Sequence, residues 1–150
     1  MKSLFEADGL SVLLTRLEKL TPETQPLWGK MNAAQMLTHT GRAFEVAMDL
    51  RKSGRAPWPI RLLGRLARKS AFNDQPMPRN SPTAPEFRVA DERDFKNEKK
   101  RLIELMTAFT QGGPDKVTRH PHGFFGPLTP QEHAMNLWKH TDHHFQQFGI

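Results

Sequence analysis

At 150 residues and a formal net charge of +6, the chain has the size of one ordinary domain, and moderate basicity by itself selects no partner. There is no cysteine, which excludes disulfides, thiolate metal ligands and a protein-borne thiol nucleophile, and fits a reducing compartment. No stretch approaches the roughly 18 apolar residues of a bilayer span, and Met1–Asp8 has no apolar run behind Lys2, so a cytoplasmic protein folding as a single domain over 1–150 is expected.

Leu13, Leu14, Leu17 and Leu20 recur at helical spacing between Leu10 and Leu20, and the Thr21-Pro22 and Gln25-Pro26 steps stop this first helix. Asn32 is placed to cap a second helix reaching to about Leu50, with Ala33, Met36, Leu37, Thr40, Phe44 and Ala47 as its apolar stripe. From Arg51 to Lys69 there are seven basic residues and no acidic one, interrupted at Pro57-Trp58-Pro59 and followed by an amphipathic turn or two through Ile60, Leu62, Leu63 and Leu66. The proline-rich stretch Pro76–Pro85 cannot be helical. The whole of this region reads as a long crossover connection.

Asp91 opens a third predicted helix, carried by Phe95, Leu102, Ile103, Leu105, Met106 and Phe109 until Gly112-Gly113-Pro114 ends it. A loop from His120 to Gly126 leads into Thr129-Pro130-Gln131-Glu132, which has the cap, first-turn proline and third-position glutamate of a helix start, so a fourth helix should run from Pro130 to Phe148. No segment alternates as a strand would. An all-α four-helix bundle is the economical reading.

The chemistry-bearing feature is the histidine distribution. On a wheel of about 100° per residue, Leu137, Trp138, Thr141, Phe145 and Phe148 share one face of the last helix, and His140 and His144 lie together on its edge. Four residues apart, they can aim at one point. His39 lies on the margin of the second helix's stripe, where the seam between helices keeps a site reachable from water. Three such imidazoles form a three-nitrogen set with a fourth position open to water or substrate. The plain alternative is that these are packing histidines or a solvated helix face. His143 falls opposite the stripe and is expected in solvent, while His120, His122 and His133 are weaker candidates, His122 being the one to watch as an outside ligand. Trp28 and Trp138 read as core anchors. Asp142 points away from the stripe, and Gln35 could at most orient a ligand, so no general base stands out. No Gly-rich phosphate loop, Gly-x-Ser-x-Gly elbow or His-Glu-x-x-His helix occurs.

Trp28-Gly29-Lys30-Met31-Asn32-Ala33-Ala34-Gln35-Met36-Leu37-Thr38-His39, Phe87-Arg88-Val89 before Glu92-Arg93-Asp94-Phe95, His120-Pro121-His122-Gly123-Phe124-Phe125-Gly126-Pro127-Leu128-Thr129-Pro130 and His140-Thr141-Asp142-His143-His144-Phe145-Gln146-Gln147-Phe148-Gly149 together resemble the DinB-like (also called YfiT-like) superfamily, within an uncharacterised bacterial branch of unknown function. The resemblance implies an up-down-down-up four-helix bundle with a long crossover between helices two and three. It also implies a divalent metal, zinc or nickel, held by one histidine of helix two and two of the last helix; by position these are His39, His140 and His144. Characterised relatives include metal-dependent transferases and hydrolases, several using a low-molecular-weight thiol cosubstrate, and the superfamily was first linked to the DNA-damage response.

The expected function is therefore a divalent-metal-dependent enzyme, a thiol-dependent transferase or small hydrolase acting on a small-molecule substrate. Two alternatives stand beside it: a non-catalytic ligand-binding or stress-response helical module, and a DNA- or membrane-surface binder acting through the basic 51–69 segment. A homodimer is left open. Nucleic acid is not an expected partner, because no nucleic-acid motif accompanies the basic run.

Overall fold

The computed structural model describes the backbone of residues 1–150 and all side chains except those of residues 69 and 70, so the side chain of Lys69, last in the basic run, lies outside the described residues. Five α-helices follow in order: α1 (Gly9–Glu18), α2 (Ala33–Ala47), α3 (Trp58–Ala71), α4 (Phe95–Gly112) and α5 (Pro130–Gln147). Single turns of 3₁₀ helix occupy Pro85–Phe87 and Pro114–Lys116. Among the described residues there is no strand, only an isolated antiparallel bridge between His122 and Gly126, and no helix is long and apolar enough to cross a membrane.

Two helix starts are set by reciprocal caps. The Asn32 side chain accepts from Gln35 N at 2.9 Å while Gln35 Oε1 accepts from Asn32 N at 3.1 Å; Thr129 and Glu132 repeat the arrangement at α5, with Pro130 in the first turn. Each pair satisfies two orphan donors, and loss of such a cap costs about 1 kcal/mol. These starts fall where the sequence places them. The start of α4 does not: Asp94 caps it, accepting from Asn97 N at 2.8 Å, while Asp91 stays outside and pairs with Arg93 at 2.8 Å. At its other end α2 stops at Ala47, short of the expected Leu50, because Asp49 adopts φ +58° and leaves the helical path.

The core is built by α1, α2, α4 and α5 with the segment preceding α1: Leu4, Leu13, Leu17, Met36, Leu37, Phe44, Leu102, Met106, Phe109, Leu137 and Phe145 are all buried in one cluster. Ile103, expected in this set, is exposed instead. Trp138 is half-buried against the cluster, its indole N–H donating to the Gly9 carbonyl at 3.0 Å. Polar clamps tie the helices at the rim: Arg16 of α1 pairs with Asp142 of α5 and donates to the terminal Ile150 carbonyl at 2.8 Å, and the buried Glu45 of α2 pairs with Arg101 of α4.

The expected crossover contains a full helix, α3. Proline at the second helical position has no intrahelical N–H bond to lose, so Pro57-Trp58-Pro59 starts a helix there and does not interrupt one. Among the described residues α3 adds nothing to the core. It rests on the 120–126 loop and α5: a Cβ at Gly64 would lie 2.2 Å from the Phe124 carbonyl oxygen, so only glycine permits that approach. Arg68 pairs with Glu132 at 2.6 Å, and Lys139 donates to the Ala71 carbonyl near the helix end at 2.8 Å.

Phe109 is fully buried and stacks on Phe5 with ring centroids 5.4 Å apart, and it meets Phe44 edge-on at 5.9 Å. Phe109→Ala should lower the unfolding free energy by about 3–5 kcal/mol, read by urea denaturation. A loss below about 1 kcal/mol would show that this ring does not join the helices.

Candidate metal centre

Three imidazoles meet between α2 and α5. His39 Nε2 lies 3.1 Å from His140 Nε2, and His144 Nε2 lies 3.2 Å from the same atom. The three form the metal-capable group found among the described residues, with one ring nitrogen of each lying within 4.8 Å of the others. His39 and His144 are buried and His140 is half-buried. The pair on α5 stands one turn apart on one face, and α2 brings His39 across the seam, as the spacing anticipates.

The outer ring nitrogens determine which protons are present. His39 Nδ1–H donates to the Phe87 carbonyl at 2.9 Å. His144 Nδ1–H donates to Gln147 Oε1 at 2.8 Å, and the Gln147 amide is oriented in turn by donating Nε2–H to the Trp28 carbonyl at 2.7 Å. Since a carbonyl oxygen can only accept, both rings carry their proton on Nδ1 and present a bare lone pair at Nε2. His140 Nε2 faces both lone pairs and has at most one proton to share between them. Its own Nδ1 is buried and has no hydrogen-bond partner among the described residues.

Burial holds all three rings neutral. It pushes His39 below the ordinary histidine range, with the neighbouring Arg42 adding to the shift against the Phe87 hydrogen bond. It takes His144 down to about 3, assisted by the nearby His39, and His140 well below its usual value, with His144 and His39 next in effect. The arrangement is a buried, uncharged, electron-rich pocket with convergent nitrogen donors. Metal–nitrogen bonds of about 2.0–2.1 Å in tetrahedral geometry separate two ligand nitrogens by about 3.4 Å, close to the two separations observed. A divalent cation satisfies lone pairs that the protein alone leaves facing one another, so the residues fit such an ion.

The surrounding groups correct several expectations. Gln35 is spent on the α2 cap and on the Asp91 carbonyl at 3.3 Å, and it orients no imidazole. His143 is half-buried, its ring edge-on to Trp28 at 5.8 Å; Trp28 is itself half-buried and stacks under Arg79 at 4.1 Å, so it anchors the surface next to the site and not the core. His122 stands outside the ligand group. Its Nδ1 accepts from Phe124 N and Phe125 N at 3.2 Å each, and burial lowers its pKa to about 4. His120 is exposed, whereas His133 is buried with Nε2 unpartnered among the described residues. Asp142 is engaged by Arg16 and by Gln146 at 2.8 Å, which leaves it unsuited to take a proton from a substrate.

Sequence reasoning missed the outer layer. Gln147 carried a signal, being one turn beyond His144 on the same helix face. The Phe87 carbonyl carried none, since a backbone oxygen has no residue-type signature. Arg42 was missed as well: it donates to the Arg88 carbonyl at 2.7 Å and fixes the strip that offers Phe87 to His39.

The lowered histidine values have a sign that can be tested. Unfolded histidine titrates near 6.5, and the folded values lie below it, so the unfolded chain binds more protons as pH falls. Chelator-treated protein should be most stable above about pH 6.5 and lose up to about 1.4 kcal/mol per pH unit for each histidine kept neutral. Urea midpoints measured from pH 7 to pH 5 should fall steadily, and a flat profile would mean that the rings are not held neutral by burial.

The chain matches a family model, described as protein of unknown function (DUF1569), over residues 3–149. Comparison with curated proteins and with solved structures found no match. The matched span takes in α1 to α5 and all three converging histidines. On this near-complete match, the chain is a member of the DUF1569 family.

Proposed function

We propose that this protein is a divalent-metal-dependent enzyme, a thiol-dependent transferase or small hydrolase of the DinB-like superfamily, with His39, His140 and His144 as its metal ligands. One observation carries the reading: three Nε2 atoms converge, two of them necessarily as bare lone pairs. On this view α1, α2, α4 and α5 form the up-down-down-up bundle of that superfamily, and α3 lies within the crossover that joins its second and third members. The shared core of those four helices and the seam position of the site support the assignment.

The chain's part in the chemistry is to hold and orient. Neutral rings bind a cation without first losing a proton, which burial secures here. The Phe87 carbonyl and Gln147 fix two rings in the productive tautomer and raise their basicity. When bound, zinc or nickel would supply Lewis acidity and lower the pKa of a water or small thiol sharing the site. A thiol must come from outside, because the chain has no cysteine.

Elemental analysis of untagged protein should find about one divalent ion per chain, with His39→Ala and His140→Ala each abolishing it while circular dichroism stays helical. Full occupancy in either variant would overturn the assignment. Gln147→Leu should keep the ligands but weaken metal affinity about 10–100-fold, measured by competition with a chelator of known strength; unchanged affinity would remove Gln147 from the site. If metal is present, a screen of small thiols with electrophilic acceptors separates transferase from hydrolase.

A further inference from the structure

The face of α3 turned away from the protein is apolar. Trp58 is 74% exposed, Leu62 51%, Leu63 62% and Leu66 73%. At about 100° per residue these four fall within an arc of about 140°, centred nearly opposite Gly64, the point where the helix touches the body. Scattered exposed apolar residues need no explanation, but three leucines and a tryptophan on one helix face form a patch, and burying such a patch is strongly favourable.

The charge around the patch selects what covers it. Residues 51–69 include seven basic residues and no acidic one. Arg51 and Arg68 are turned inward to Glu45 and Glu132. Lys52, Arg55, Arg61 and Arg65 make no ion pair among the described residues, and Arg61 and Arg65 flank the patch on one side. A second copy docked face to face would bring Arg61 and Arg65 of both copies together, and residues 51–69 contain no carboxylate to offset them. An anionic lipid surface takes the apolar residues into its acyl boundary while its headgroups meet the cations, and tryptophan at the helix start suits the interfacial layer.

We propose that α3 is an interfacial helix that seats this protein on anionic membranes, lying in the plane of the headgroups with Trp58, Leu62, Leu63 and Leu66 inserted. The proposal is independent of the metal centre, since none of these residues touches the histidines.

The full chain should co-float with vesicles of equal parts phosphatidylcholine and phosphatidylserine at low salt, and far less with phosphatidylcholine alone. Leu62→Ser/Leu66→Ser, which alters only exposed side chains, should abolish flotation with an unchanged melting temperature. Arg61→Gln/Arg65→Gln should weaken binding about fivefold per charge removed, and added salt should weaken it further. No flotation at low ionic strength would overturn the proposal, and so would flotation that survives the serine pair. A concentration-dependent dimer in sedimentation velocity that the serine pair dissociates would assign the face to self-association and also overturn it. Duplex DNA binding equal in strength to lipid binding, and indifferent to the serine pair, would mean that charge alone acts and would likewise overturn the proposal.

Discussion

Two imidazole lone pairs directed at a third ring inside a nearly closed seam dominate the organisation of this protein. Left alone, they are a cost: electron-rich nitrogens face each other in a low dielectric, with one proton at most to share. Protonating a second ring would relieve the repulsion but would place charge where burial opposes it. A small divalent cation would resolve both difficulties, and the three rings lie close enough together to hold one.

That constraint makes sense of features remote from the histidines in sequence. The 86–88 segment has no place in the core, yet Arg42 ties down its carbonyls so that Phe87 can orient His39. The loop before α2 carries the Trp28 carbonyl that turns the Gln147 amide, and Gln147 then turns His144. Both loops therefore act on the donor atoms at second hand. The clamps between Arg16 and Asp142 and between Glu45 and Arg101 hold α1 to α5 and α2 to α4, so the two helices bearing the converging histidines are each braced by a neighbour.

Helix α3 follows a different logic. It is held by a glycine contact, an ion pair and a lysine at its last carbonyls, and its apolar residues face outward. A helix that spends its leucines on solvent gains nothing from them in the isolated chain. Burial at a lipid surface supplies the missing partner, and the protein would then carry its buried polar chemistry and its surface attachment on separate helices.

Sequence by itself determined the helical class, the caps of α2 and α5, and the three histidines that meet. Those properties depend on side-chain type at short, fixed spacings: Asn32 with Gln35, Thr129 with Glu132, His140 with His144. Tertiary structure decided what spacing cannot express. Asp94 displaced Asp91 as the cap of α4, because either carboxylate could serve and packing chose the register. Pro59 became part of a helix start because its neighbours could reach the 120–126 loop, and that depended on Gly64 meeting the Phe124 carbonyl. The tautomers of His39 and His144, and with them the direction of the lone pairs, came from a backbone oxygen and an oriented amide. Such partners belong to a place in the fold and to no residue type, so they become visible only when distant parts of the chain come together.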